Sequence, residues 1–367
     1  MVLNASRGSA AAPWLLAGLT AACSEGPSGA PSAPWSPAML VRRKELDAKT
    51  LCPDPGAVYV YDARAGLLLV PDHTETWEWE EHAEGRFRWS TNNLGLLETQ
   101  PTEREKHGLR ILVTGDSHLM VTETEKSFPN AFESELRRAG YEGCEVLDSG
   151  VGYTGPRLYL RRIERFLELQ PDVVIVSFFT GNDFWDDLLT DYDVLASPKP
   201  ALDRGYARRL TDCQDHHAGA LYQGLNQAHF FKHWPGTAEL AYSLALASLD
   251  EIHALCRRQG MALFVVLLPT KIAVDVEDEP DVRAAALASL ALSEEDAAVN
   301  VRLGERLARE LAERGIPTLD PTAEMRADPR PFYWRRDHHL ATSGHLFVAQ
   351  AMLAAFEPEL RKWKTKR

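Results

Sequence analysis

Ser117 lies in the run Ile111-Leu112-Val113-Thr114-Gly115-Asp116-Ser117-His118, where three apolar, mostly β-branched residues read as the end of a buried strand. A serine hydroxyl is a poor nucleophile at neutral pH. It works when an imidazole takes its proton, an acid orients the imidazole, and hydrogen-bond donors meet the oxyanion. Candidates for all three occur downstream: Gly152 in Asp148-Ser149-Gly150-Val151-Gly152-Tyr153-Thr154, Asn182 in Gly181-Asn182-Asp183, and Asp337 with His339 in Asp337-His338-His339-Leu340-Ala341-Thr342-Ser343-Gly344-His345. Gly152 offers a backbone N–H where a side chain would obstruct a substrate, and Asn182 offers its amide. Alternatives stand beside each: Gly150 as the donor, His338 as the base, and a plain helix-capping turn for Gly-Asp-Ser. His345 is expected to be packing or helix surface, and His118 to shape the cleft entrance without a chemical role.

These residues need elements to bring them together. Short apolar runs alternating with helical stretches from Leu109 onward predict an α/β fold, a three-layer sandwich with a central parallel sheet flanked by helices. Strands are expected near 110–114, 144–148, 172–178, 261–268 and 317–319. Helices are expected near 129–139, 156–169, 238–259, 297–314 and 343–356, with Pro156 in a first turn and Gly260 and Gly315 as stops. In such a sheet, ligands sit at the carboxyl ends of the strands, where Ser117 and Asn182 would lie.

The order and surroundings of the four blocks resemble the SGNH (GDSL-type) hydrolase family, in its bacterial exported branch, whose blocks carry Ser, Gly, Asn and His. The resemblance spans roughly residues 90 to 355, including the lead-in Asn92-Asn93-Leu94-Gly95-Leu96. It implies an SGNH/flavodoxin-like fold and ester cleavage by acyl transfer. The implied catalytic residues are Ser117, Asp337 and His339, with Ser117, Gly152 and Asn182 as the oxyanion hole and no cofactor or metal. The chain departs from the common pattern in two places: Asp-x-His replaces Asp-x-x-His, which would need an acid at Arg336, and Asp148 stands where Asn is frequent. The implied substrate is an acylated small molecule or polysaccharide, such as a carbohydrate or cell-envelope ester. Two alternatives are an O-acyltransferase on an envelope polysaccharide and an inactive sugar-binding domain of the same fold.

The full chain of 367 residues divides into expected segments: a lipoprotein-type signal peptide over 1–22, a flexible tether over 23–37, a lead-in over 38–108 that packs on the sheet, and a hydrolase domain over 109–360. The apolar run Ala10 to Ala22 is too short to span a bilayer, and Leu19-Thr20-Ala21-Ala22-Cys23 looks like a lipidation box. Cys23 is therefore the expected lipidation site, placing the protein in the cell envelope, periplasmic side, or outside the cell. Within the lead-in, Val58–Tyr61 and Leu67–Val70 read as short strands. Of the other cysteines, Cys52, Cys144, Cys213 and Cys256, at most one bridge is expected, and Cys144 and Cys256 suit buried thiols.

A formal charge of -13 argues against a nucleic-acid partner, and the basic Lys362–Arg367 tail reads as a solvated end. Membrane contact is expected only through the lipid anchor. Phe184 to Pro235, the insertion 184–235, lacks sustained periodicity and reads as irregular, either a wall or lid beside Asn182 or a surface excursion. Trp185, Tyr192, Tyr206, Tyr222 and Trp234 could stack on a sugar or fill the core. Asp212, Cys213, Asp215, His216 and His217 read as a polar loop rather than a metal site. Gly150 to Gly155 also fits G-x-G-x-x-G, but the acid at the right distance, Asp172, begins its strand instead of ending it.

Overall fold

The computed structural model describes residues 58–62, 64–194, 204–217, 219–274 and 280–364. The expected signal peptide, Cys23, the tether, Cys52 and the last basic residues lie outside them, as do the side chains of Tyr192, Tyr222, Asp215, His216 and His217.

Two hairpins come first: β1 (Tyr59–Asp62) with β2 (Gly66–Leu69), then β3 (Thr74–Glu78) with β4 (Arg86–Ser90). The five-stranded sheet follows, from β5 (Arg110–Thr114), β6 (Glu145–Asp148), β7 (Val173–Phe179), β8 (Ala262–Leu268) and β9 (Thr318–Leu319). Its order is β6-β5-β7-β8-β9 and every pairing is parallel. The longer helices are α1 (Phe128–Arg138), α2 (Pro156–Phe166), α3 (Asp183–Val194), α4 (Arg204–His217), α5 (Gly219–His233), α6 (Gly236–Gln259), α7 (Pro280–Ser289), α8 (Val299–Glu313) and α9 (Thr342–Lys364).

The alternation of a strand's side chains sorts the core into two layers. Leu112, Val174, Val176, Val265 and Leu267 face a cluster with Tyr159 and Ile163 of α2, Phe184 and Leu188 of α3, Leu244 of α6 and Leu307 of α8. Their strand neighbours Ile111, Val113, Ile175 and Val266 face the other way, onto Phe128 and Phe132 of α1 and Val348, Met352 and Phe356 of α9. Leu67 and Leu69 of β2 and Phe87 and Trp89 of β4 join this second cluster. The three-layer α/β expectation therefore matches the structure.

Two expectations are corrected. The stretch from Phe184 to Pro235 is not irregular: α3, α4 and α5 occupy most of its described residues. Phe184, Trp185, Leu188, Tyr206, Leu210 and Leu225 are all buried there; α3 and α5 are buried on nearly every described side and lack the single apolar stripe that reveals a surface helix, whereas α4 shows such a stripe at Tyr206, Leu210 and Cys213. Trp185 and Tyr206 are core and have no surface to offer a sugar, while Trp234 packs partly buried against the same cluster. The segment containing Asp212 and Cys213 is likewise the end of α4 and not a loop. Cys144, Cys213 and Cys256 are buried free thiols.

Candidate active site

β5 ends at Thr114, and the chain turns at once into the short 3-10 helix Ser117–Leu119, capped by the Asp116 carboxylate accepting from His118 N–H at 3.0 Å. The turn can be this tight because Gly115 lacks a side chain: a methyl group there would lie 2.8 Å from Ser177 Cβ and 2.9 Å from Leu119 Cδ1. The buried Arg162 of α2 donates to Thr114 Oγ1, the Gly115 carbonyl and Thr154 Oγ1, tying the nucleophile turn to the glycine block. Burial lowers its guanidinium pKa to about 10.

The candidate base, His339, arrives from the far end of the chain. A bridge between Tyr333 and Leu340, with Trp334 N–H donating to the His339 carbonyl at 3.1 Å, folds 333–340 into a small loop. His339 Nε2 lies 2.8 Å from Ser117 Oγ, and its Nδ1 lies 2.5 Å from Asp337 Oδ1. The same Asp337 oxygen accepts the His339 backbone N–H at 2.8 Å. Burial alone would raise the Asp337 carboxyl, yet His339 and His338 beside it and the hydrogen bonds from His339 outweigh that and hold it well below the usual carboxylate range. An ionised carboxylate at Nδ1 fixes the ring with its proton there and a lone pair toward the serine. Between the two adjacent histidines, His339 is the one that meets Ser117.

The loop is gripped from both sides. Lys271 Nζ donates to the carbonyls of Trp334 at 3.0 Å and Arg335 at 3.2 Å. Glu81, in the β3–β4 hairpin, accepts the consecutive backbone N–H groups of Arg335 and Arg336, the latter at 2.8 Å. Neither Lys271 nor Glu81 has any local sequence signature, because each acts on the backbone of a segment remote in the chain.

Gly152 sits beside the nucleophile, since a methyl group on it would lie 3.5 Å from Ser117 Cβ. Its N–H points at Met120 Sδ, 2.9 Å away. The alternative donor Gly150 is otherwise engaged: its N–H goes to Asp148 Oδ1 at 3.0 Å, and a methyl group there would lie 2.2 Å from Leu119 Cβ. Gly150 is a packing glycine. Asp148 also accepts from Ser127 Oγ at 3.2 Å, and burial pushes its pKa up to about 7.

Asn182 follows β7 and donates through Nδ2 to Asp186 at 2.9 Å. Burial raises the Asp186 and Asp183 carboxyls well above the usual range, with the neighbouring Asp116 adding to both, while burial pushes Asp116 itself to about 6. Gln227 of α5 supports this loop by donating to the Thr180 carbonyl at 2.8 Å and accepting from Trp185 N–H at 3.1 Å. The helical insertion thus braces the Asn182 block.

His118 is not at a cleft entrance. It is fully buried, its ring 3.8 Å from that of Phe179 and 4.9 Å from that of His339, and burial first, then the neighbouring His339, His338 and His345, lowers its pKa far below that of a free histidine. His345 packs in the core and accepts Phe128 N–H at 3.2 Å. Asp172 stands at the amino end of the sheet, accepting from Arg110 N–H at 3.0 Å and pairing with Lys106, so the acid at the ribose distance lies at the opposite edge from the G-x-G-x-x-G stretch.

Among the described residues, Asp337, His338 and His339 form a group whose ligand atoms converge within 4.8 Å. Both ring nitrogens of His339 are committed to Asp337 and Ser117, so a metal ion there would have to break that chain.

Residues 232–366 match the family model described as "SGNH hydrolase-like domain, acetyltransferase AlgX". The match bears out the resemblance to SGNH hydrolases; it contains the Asp337–His339 block, while Ser117, Gly152 and Asn182 precede it. No curated protein matches the chain. Among solved structures, the chain is similar to the acetyl xylan esterase AlAXEase, at 16% identity over 67% of this chain and 99% of that one, with a TM-score of 0.41. It is also similar to a member of the lipolytic G-D-S-L family from Veillonella parvula, at 12% identity over 68% and 98%, TM-score 0.38. A catalytic mutant of Axe2, an acetylxylan esterase from Geobacillus stearothermophilus, aligns at 13% identity over 69% and 96%, TM-score 0.38.

Proposed function

We propose that this SGNH-hydrolase-like chain is a serine esterase that removes an acyl group from a carbohydrate or another cell-envelope ester. The observation that carries this reading is the chain of contacts from Ser117 Oγ to His339 Nε2, at 2.8 Å, and from His339 Nδ1 to Asp337. Ser117 Oγ attacks the ester carbonyl carbon, its proton passes to His339 Nε2, and Asp337 stabilises the imidazolium. The C=O electron pair moves onto oxygen, met by the N–H groups of Ser117 and Gly152 and by the Asn182 amide. Collapse expels the alcohol, which takes the proton from His339, and water then releases the acid by the same steps in reverse.

A second reading replaces water by a sugar hydroxyl, giving an O-acyltransferase. The acetyltransferase description of the matching family model supports it. The acyl-serine is common to both, and only the acceptor differs. The expected Cys23 anchor supports an envelope setting for either substrate.

Hydrolysis of p-nitrophenyl acetate by the purified protein beside Ser117→Ala tests the reading. Ser117→Ala is expected to lose at least about a thousandfold in kcat, with mass spectrometry finding an acyl group on Ser117 only in the wild type. Equal rates for the two proteins would remove Ser117 from the account. Product analysis with and without an added sugar separates hydrolysis from transfer.

A further inference from the structure

His118 follows Ser117 directly, and its side chain is fully buried with neither ring nitrogen hydrogen-bonded to any of the described residues. Its ring lies 4.9 Å from that of His339, with the rings of Phe179 at 3.8 Å, His338 at 6.1 Å and Tyr333 at 6.5 Å. Two unpaired nitrogens inside a protein cost stability, and an apolar side chain would fill the same space without that cost. Burial first, then His339, His338 and His345, lowers the pKa of this imidazole far enough to keep it neutral. A neutral imidazole carries a proton on one nitrogen and a lone pair on the other. With neither nitrogen committed, nothing opposes the tautomer whose lone pair lies on the His339 side.

We propose that His118 is a positioning residue that acts through His339, its neutral ring supporting the imidazolium that forms there during acyl transfer. This rests on the acyl-transfer reading of Ser117. While His339 is uncharged, the two rings interact weakly. When Ser117 Oγ bonds to the carbonyl carbon and its proton moves to His339 Nε2, a positive charge appears on a buried ring, where little water can screen it. Asp337 meets that charge at Nδ1, and the His118 dipole meets it from the nucleophile turn. No proton reaches or leaves His118. The other titratable groups around the base are His338 in its own loop, Asp116 in the nucleophile turn, which burial raises to about 6, and His345 on α9.

The test compares His118→Leu, His118→Phe, His118→Gln and Ser117→Ala on p-nitrophenyl acetate across pH, with melting temperatures measured alongside. His118→Leu and His118→Phe remove the nitrogens and keep the bulk. Both are expected to lower kcat about tenfold, with KM within about threefold and no loss of melting temperature. The acidic midpoint of kcat/KM should also move to lower pH, because an unsupported imidazolium gives up its proton more readily. His118→Gln supplies a neutral polar group that can turn its carbonyl oxygen to the charge, and should bring kcat back to within about threefold of the wild type. If His118 only packs, the folded His118→Leu and His118→Phe proteins will match the wild type in kcat and in the acidic midpoint, which overturns the proposal while leaving the esterase reading intact. A fall in kcat with an unmoved midpoint and no recovery in His118→Gln overturns it as well. If Ser117→Ala hydrolyses the ester as fast as the wild type, the esterase reading fails and this proposal fails with it.

Discussion

The nucleophile block and the base block meet at 2.8 Å, but different forces hold them. Around Ser117 the turn is held by close packing: Gly115 and Gly150 each lie where one added methyl group would strike Leu119, and Leu119 is 1% exposed. Around His339 the loop is held by charge, with the Lys271 ammonium on two carbonyls and the Glu81 carboxylate on two backbone N–H groups. Packing at native density tolerates almost no added volume and ignores salt, whereas charge-assisted hydrogen bonds tolerate shape changes and answer to screening. One site therefore has two kinds of fragility.

The largest effect should come from the packed side. Gly150→Ala puts a methyl group 2.2 Å from Leu119 Cβ, and relief must move the turn that carries Ser117. A loss of about 1–3 kcal/mol in stability by denaturant titration is expected, together with about a hundredfold fall in kcat/KM. Lys271→Met comes next. It leaves the Trp334 and Arg335 carbonyls without their shared donor in a site where Lys271 is only 6% exposed, and about a tenfold loss of kcat/KM is expected, with Ser117 still acylated, though more slowly. Glu81→Gln should cost least, about twofold to threefold, because the group is partly solvated and the amide oxygen still accepts one of the two N–H groups. Its diagnostic is ionic strength: the wild-type rate should fall modestly with added salt, and that dependence should flatten in Glu81→Gln. A salt dependence that survives in Glu81→Gln, or a Lys271→Met protein that loses activity only in proportion to its folded fraction, would erase the distinction.

What the sequence discloses follows the same division. Strands buried on both faces announce themselves as runs such as Val173–Val176, and residues at their carboxyl ends, Ser117 and Asn182, are legible with them. The Asp-x-His block is legible as chemistry, but the preference for His339 over His338 depends on how the 333–340 bridge turns each ring. Gly152 and Gly150 separate only through what each would strike. Helices α3 and α5 escape a periodicity reading because their burial is not confined to one stripe. The β3–β4 hairpin does alternate, Thr74-Glu75-Thr76-Trp77-Glu78 against Arg86-Phe87-Arg88-Trp89-Ser90, but its charged alternate positions hide it among surface residues. Glu81 and Lys271 leave no trace in local sequence, since each reaches a segment that only folding brings near.

The hairpins ahead of Ser117 cover one flank of the central sheet. Phe87, Trp89, Leu67 and Leu69 lie in one apolar cluster with Ile111 and Val113 of the nucleophile strand. Anyone trimming the gene to begin at Leu109, just ahead of β5, would not obtain a minimal working unit. The shortened product would present a greasy flank of its central sheet to water and would be prone to clump, and it would lack the anchor that steadies the histidine from outside.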